Sequence, residues 1–296
     1  MKVLITDYDF PDIELERGIF AAAGIELVAG QCRTEQAVIE AAAGCSALLV
    51  QYAPITDRVL AALPQVGLAS RMGAGYDTID PAACARHGVW LANSPDYGVG
   101  EVATHALAMA LALQRHLPFY DRDVKAGNWH YLSAGKIRRA AGLTVGILGL
   151  GRIGKRFAHL ARNAFARVVA CDPYIIDGDF PAYVERVTLQ QLFETADIIS
   201  LHVPLNDETR GMVNAALLSS VQPGTTLVNT ARGAGPATRI AIPRSGRASR
   251  FEAIDQSEPI GAWSDSLETP DDEYLWALQR TSASPPSMHR FRGDAA

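Results

Sequence analysis

The chain has 296 residues, enough for about two domains, and 48% apolar with 20% charged residues is ordinary globular composition. A formal charge of −5 gives no basic footprint for nucleic acid, and no apolar run reaches the roughly 20 residues that span a bilayer. The four cysteines (Cys32, Cys45, Cys84, Cys171) and seven histidines lack metal-ligand or redox spacing, so a reduced, cytoplasmic setting without a metal is expected.

Val3 to Thr6 reads as a strand rather than as a secretory leader. Helical and strand-like runs then alternate: Leu15 to Ala23 a helix, Glu26 to Ala29 a strand, Thr34 to Ala43 a helix, and Ala47 to Gln51 a strand. Thr56 to Ala62 follows as a helix and Val66 to Ser70 as a strand. This is the pattern of a small α/β domain with parallel strands. Just past the last of them, Arg71-Met72-Gly73-Ala74-Gly75-Tyr76-Asp77 sets two glycines one residue apart, which exposes backbone N–H groups to an anion such as a carboxylate. A plain turn is the competing reading. Tyr52, Met72 and Tyr76 suggest an apolar lining that admits many substrate side chains.

Around Asn93-Ser94-Pro95 this domain hands over to Val99 to Gln114, a strongly apolar helix expected to be buried along a domain junction or subunit interface. His105 in its first turns is a candidate proton carrier, although a structural histidine is the commoner case. Residues 118–141 carry Trp129, Tyr131 and the basic Lys136, Arg138 and Arg139, and a segment of this length suggests an arm that binds a second copy.

The next stretch is the most informative. Thr144 to Leu148 is a charge-free strand that runs into Gly149-Leu150-Gly151-Arg152-Ile153-Gly154, a G-x-G-x-x-G turn. Gly149 allows the tight turn, Gly151 lets backbone approach a pyrophosphate, and Gly154 lets the helix starting at Arg152 pack closely. That helix, expected over Arg152 to Ala164, offers its N-terminal N–H groups to phosphates. Val168 to Cys171 is the following strand, and Asp172 closes it with a carboxylate that accepts both adenosine ribose hydroxyls and repels a 2′-phosphate. The cofactor implied is NAD rather than NADP.

Beyond it, Leu189 to Thr195 reads as a helix, Ile198 to Val203 as a strand ending at His202-Val203-Pro204, Ala215 to Ser220 as a helix, and Thr225 to Asn229 as a strand ending at Thr230-Ala231-Arg232-Gly233. Ligands of a parallel sheet sit at the carboxyl ends of its strands, so both stretches share the rim of the glycine turn. An arginine there can grip a small oxo acid with a forked hydrogen bond.

Taken together, GILGLGRIG, CDPY, LHVPLNDETRGMV, VQPGTTLVNTARG and RMGAGYDTID resemble the D-isomer-specific 2-hydroxyacid dehydrogenases. DYDFPD, NSPDYGVGEVATHAL and GKIRRAAGLTVGILG resemble the branch related to the C-terminal-binding proteins, and the likeness covers about residues 1–233. The resemblance implies an α/β fold with a Rossmann-type NAD-binding domain inserted into a smaller, flavodoxin-like substrate domain. The divisions expected are 1–97 for the substrate domain, 98–279 for the NAD-binding domain and 280–296 for a tail that returns to the first domain in the family. It also implies a homodimer built on the NAD-binding domain, and hydride transfer between NADH and a small 2-oxo acid. By position, Gly149, Gly151, Arg152, Ile153, Gly154 and Asp172 would hold NAD. His202, Val203, Pro204, Thr230, Ala231 and Asp265 would line its ribose and nicotinamide side. Ala74 and Gly75 would meet substrate, and Arg232 would orient it.

The chemistry needs a histidine as general acid, with a carboxylate beside it to keep it protonated near neutral pH. In the family these come from "D-V-F-x-x-E-P" and a later "T-P-H". Here AGPATRIAIPRSGRASRF replaces the expected text after Gly233. Glu252 to Asp255 would end the expected helix, Ile260 to Asp265 would be the next strand, and Glu268 with His289 would form the acid pair. Glu258-Pro259 is a rival for the glutamate. The family's terminal helix is not legible after His289. Loss of pattern with recovery in between is what paired reading-frame shifts produce, which resequencing of the coding DNA tests. The alternative to an enzyme is an NAD(H)-binding module without turnover, like the C-terminal-binding proteins or an enzyme inactivated by its altered end.

Overall fold

The computed structural model describes residues 1–231 and the backbone of residues 252–255. These residues gather into two compact units. One holds Met1–His105 with Gly151–Leu160 and Pro204–Glu208, and the other holds Ala106–Leu150, Ala161–Val203 and the described residues from Thr209 on.

In the first unit, β1 (Lys2–Ile5), β2 (Glu26–Ala29), β3 (Ala47–Val50), β4 (Leu68–Arg71) and β5 (Trp90–Ala92) form one sheet in the order β2-β1-β3-β4-β5. Every pairing is parallel, as the alternating pattern requires, and the order is flavodoxin-like. The crossovers are α1 (Glu14–Ala22), α2 (Glu35–Ala41), α3 (Asp57–Ala62) and α4 (Pro81–His87). Thr34 starts α2 by accepting the Ala37 N–H at 3.2 Å, and Asp80 starts α4 by accepting the Ala83 N–H at 3.0 Å. Leu4, Val38, Leu48, Val50, Ile55 and Leu60 fill the core between sheet and helices.

α5 (Val99–Gln114) is correctly placed by its sequence but is not buried all round. Ala103, Ala106, Met109, Ala110, Leu113 and Gln114 make one buried stripe, whereas Glu101, Thr104, His105 and Ala108 are exposed. Alanines explain the difference: they raise the apolar count while carrying little surface that demands burial. α6 (Leu117–Lys125) follows, opening at His116 in a left-handed conformation, φ 54°.

The second unit contains a six-stranded sheet of β6 (Thr144–Leu148), β7 (Arg167–Cys171), β8 (Glu185–Arg186), β9 (Ile198–Leu201), β10 (Thr226–Asn229) and β11 (Glu252–Asp255). Its order is β11-β10-β9-β6-β7-β8 and all pairings are parallel, which makes it a Rossmann-type sheet. α7 (Arg152–Ala161) follows β6, α8 (Leu189–Thr195) precedes β9, and α9 (Ala215–Leu218) precedes β10. A capping box between Thr188 and Gln191 fixes the start of α8. Leu148, Val169, Leu192, Phe193, Ile199 and Leu227 form its core. At the opposite edge of this sheet, Asp197 accepts the Thr144 N–H at 2.8 Å and pairs with Arg138, which ties the basic segment before β6 to the sheet.

One expectation is corrected. Glu252 to Asp255 do not end a helix; they form β11, paired in parallel with β10 from Thr226↔Glu252 to Asn229↔Asp255. The free edge of β10 offers a row of unpaired backbone groups, and a short extended segment satisfies them where a helix cannot. The expected strand Ile260 to Asp265 lies outside the described residues.

Candidate functional site

In the second sheet the register sets Leu148 beside both Cys171 and Leu201, and Leu201 beside Asn229. The residues that follow, Gly149, Asp172, His202 and Thr230, therefore line up along one carboxyl edge. The strand order reverses between β6 and β9, which is the switch point where open α/β sheets bind ligands.

Gly149 turns with φ +90°, and a Cβ on it would lie 2.9 Å from the His202 carbonyl carbon and from Val203 Cγ1. Only glycine fits there, on both conformational and steric grounds. Its N–H donates to the Cys171 carbonyl at 3.0 Å. Asp172 is half-buried, with Oδ2 accepting the Leu150 N–H at 2.8 Å and Oδ1 the Tyr174 N–H at 3.0 Å. Burial, and then the Asp172 charge, push the adjacent Cys171 thiol up. His202 Nε2 lies 2.9 Å from Ser200 Oγ, and burial of the ring pushes its pKa down to about 3, so the imidazole is neutral at working pH. Ser200, fully buried in β9, escaped the sequence reading because nothing distinguishes it from other small strand residues.

Thr230 Oγ1 is buried without a hydrogen-bond partner among the described residues, and the Ala231 N–H donates to Asn229 Oδ1 at 3.0 Å. A carboxylate with both oxygens held and an orphaned buried hydroxyl, set on a glycine turn at a switch point, suit a ligand rich in hydroxyls such as a dinucleotide. Gly151, Arg152, Ile153, Gly154 and Pro204 fall in the first unit. A Cβ on Gly151 would meet nothing within 4 Å, and Arg152 Nε lies 2.7 Å from Asp96 Oδ1.

The first sheet has its own polar rim. Asp7, fully buried just past β1, accepts the N–H groups of Gln51, Tyr52 and Ala53 at 3.3, 2.8 and 3.1 Å. It thereby fixes the loop after β3. Arg71 ends β4 with its guanidinium buried, 5.9 Å from the centre of the Tyr52 ring, and Nη1 donates to the Met72 carbonyl at 2.6 Å. A Cβ on Gly73 would sit 1.7 Å from that nitrogen, so Gly73 makes room for the arginine. No carboxylate among the described residues lies within ion-pair distance of Arg71, so this buried cation has no ionic partner there. Sequence reading placed Arg71 at the start of this loop but gave its side chain no role. Tyr52 and Tyr76 are exposed and Met72 is half-buried.

A family described as D-isomer specific 2-hydroxyacid dehydrogenase, NAD binding domain, matches residues 107–238. The D-3-phosphoglycerate dehydrogenase of Mycobacterium tuberculosis is 38% identical over 189 residues, covering 63% of this chain and 36% of the relative. A hydroxypyruvate reductase of Thermotoga maritima is 34% identical over 179 residues, 60% of this chain and 58% of the relative. The chain thus spans less than two thirds of these curated relatives. Among solved structures, the D-lactate dehydrogenase of Aquifex aeolicus, complexed with NAD and lactic acid, superposes with a TM-score of 0.69 at 28% identity, over 78% of this chain and 69% of that one.

The matched domain is an NAD-binding domain, and its cofactor is NAD. Arg232, Asp265, Glu268 and His289 lie outside the described residues. His105 is exposed, as are Trp129 and Tyr131. Among the described residues, no group of three His, Cys, Asp or Glu side chains is placed to hold a metal, and no helix is long and apolar enough to cross a membrane.

Proposed function

We propose that the chain is an NAD-dependent oxidoreductase interconverting a D-2-hydroxy acid and a 2-oxo acid, in the manner of the phosphoglycerate and hydroxypyruvate enzymes it resembles. The observation that carries this reading is the carboxyl rim of Gly149, Asp172, His202 and Thr230 at the switch point of a family-matched NAD-binding domain. When bound, NADH supplies the hydride that reduces the carbonyl carbon. Asp172 accepts the adenosine ribose hydroxyls, Gly149 keeps the turn tight, and Thr230 Oγ1 offers a hydrogen bond on the ribose and nicotinamide side. Gly151, Arg152, Ile153 and Gly154 start the helix that faces the pyrophosphate. Val203, Pro204 and Ala231 complete that lining, and Asp265 is carried as a further candidate.

On the substrate side, Ala74 and Gly75 N–H groups hold the carboxylate and buried Arg71 supplies the charge that draws it. Arg232 orients the oxo acid by a forked contact. Reduction leaves an alkoxide, which His289 protonates, and a carboxylate partner keeps the imidazole charged. The place of β11 bears on that partner. Asp255 stands at the carboxyl end of β11 opposite Asn229, and Glu258-Pro259 is the first glutamate–proline pair beyond it. This favours Glu258 over Glu268.

The same reading divides the chain at residues 97 and 279, makes it cytoplasmic, and assigns it to the branch related to the C-terminal-binding proteins, with an altered segment after Gly233. It also makes the chain a homodimer. The cleft of about 790 Å³ lined by Tyr120, Asp123, Trp129, Tyr131 and Leu132, with Trp129 88% exposed, supports a second copy as its cover. The alternative without turnover is not favoured, because the similar curated proteins are enzymes. Chiral analysis of the product formed from a 2-oxo acid and NADH tests the proposal: the D-hydroxy acid is expected, and the L-isomer contradicts it.

A further inference from the structure

Asn93 follows β5, and its Nδ2 donates to the Ala74 carbonyl at 2.8 Å. The next residue, Ser94, donates its N–H to the Gly73 carbonyl at 3.0 Å. No peptide bond here is cis, and a trans peptide points its C=O and the following N–H in opposite directions. Holding the carbonyls of Gly73 and Ala74 toward residues 93 and 94 therefore turns the N–H groups of Ala74 and Gly75 to the far side. Neither N–H has a hydrogen-bond partner among the described residues. Two successive N–H groups facing one way form a concavity for an anion, and buried Arg71 closes the strand that leads into this loop.

We propose that Asn93 is a positioning residue that sets the Ala74 and Gly75 N–H groups for the substrate carboxylate; this rests on the reading of that loop as the carboxylate site. Asn93 touches no reacting atom in this role. The Ser94 bond comes from backbone and persists in side-chain variants, so the second peptide plane depends on the Asn93 amide. Without it the Ala74 carbonyl is free to rotate, and the Gly75 N–H turns away from the anion.

The test compares Asn93→Ala with the wild-type full chain, using a 2-oxo acid and the neutral amide of the same acid. A lost orienting hydrogen bond is expected to raise KM for the acid about tenfold. KM for the amide, kcat and the NADH dissociation constant should stay within about twofold, since a bond that orients only the carboxylate site touches none of them. A merely structural role would shift acid and amide together. If Asn93→Ala does not fold, Asn93→Ser carries the same test, because its hydroxyl is too short to reach the carbonyl. A wild type that treats acid and amide alike rejects the loop as an anion site, and the inference with it. A wild type that prefers the acid while the variant keeps that preference rejects Asn93 alone. Should the chain show no turnover, calorimetric binding of oxamate to the NADH-loaded protein reads the same difference: binding lost in the variant supports the assignment, whereas binding retained, or absent in the wild type, overturns it.

Discussion

The Leu150 N–H donates to Asp172 Oδ2 at 2.8 Å, so the acid that closes β7 is fastened to the glycine turn that closes β6. The contact stiffens the turn and fixes the carboxylate at the carboxyl rim of the sheet. Asp172→Ala should weaken NADH binding by about ten- to a hundredfold, the worth of two charge-assisted hydrogen bonds, while NADPH binding falls far less. Fluorescence titration with both nucleotides checks this; equal losses for the two would remove Asp172 from ribose recognition.

Gly149→Ala forces a side chain into φ +90° and within 2.9 Å of the His202 carbonyl carbon. The expected cost is roughly 1–3 kcal/mol from backbone strain alone, with steric displacement added to it. Urea unfolding should show a lower midpoint with an unchanged slope, and NADH affinity should fall as the turn opens. A variant as stable as wild type would mean that the turn relaxes without loss.

His202 carries a pH signature. Its folded pKa of about 3 lies below the ordinary histidine value of 6.5, so between these values the unfolded chain binds more protons. Stability from this group is complete above pH 6.5 and is lost as pH falls toward 3, by up to a few kcal/mol. His202→Gln should flatten that part of the profile of unfolding free energy against pH. An unchanged slope in the variant would show that other groups set it.

Much of this was legible in the chain itself. Charge-free runs such as Thr144–Leu148 can only be strands buried on both faces, and the glycines at 149, 151 and 154 carry their spacing openly. Helix α4 was missed although Asp80-Pro81 before it and Gly88 after it are start and stop signals, because its interior is mostly alanine and shows no apolar period. β8 has only two residues, too few for any period to show. Arg71 was hidden differently. Its burial depends on the absent side chain of Gly73 and the ring of Tyr52, and sequence spacing does not record such tertiary contacts. β11 was taken for a helix end because the family's text fails just before it, whereas the free edge of β10 decided the matter.

The choice between Glu258 and Glu268 can be made from pH dependence. A carboxylate beside the general acid raises its pKa, so reduction persists to higher pH. Replacing the true partner by Gln should move the alkaline fall of kcat/KM down by about one pH unit or more, and replacing the other should leave it in place. The expected result is a shift with Glu258→Gln; a shift with Glu268→Gln only would return the role to Glu268.

The most direct measurement is the loss of NADH absorbance over time with purified full-length chain and a panel of 2-oxo acids, run beside an NADH binding titration on the same sample. The expected result is NADH binding together with turnover of at least one acid, and loss of that turnover in His289→Ala. Tight NADH binding with no turnover of any 2-oxo acid would contradict the assignment as a dehydrogenase and leave a nucleotide-binding protein without its catalytic end.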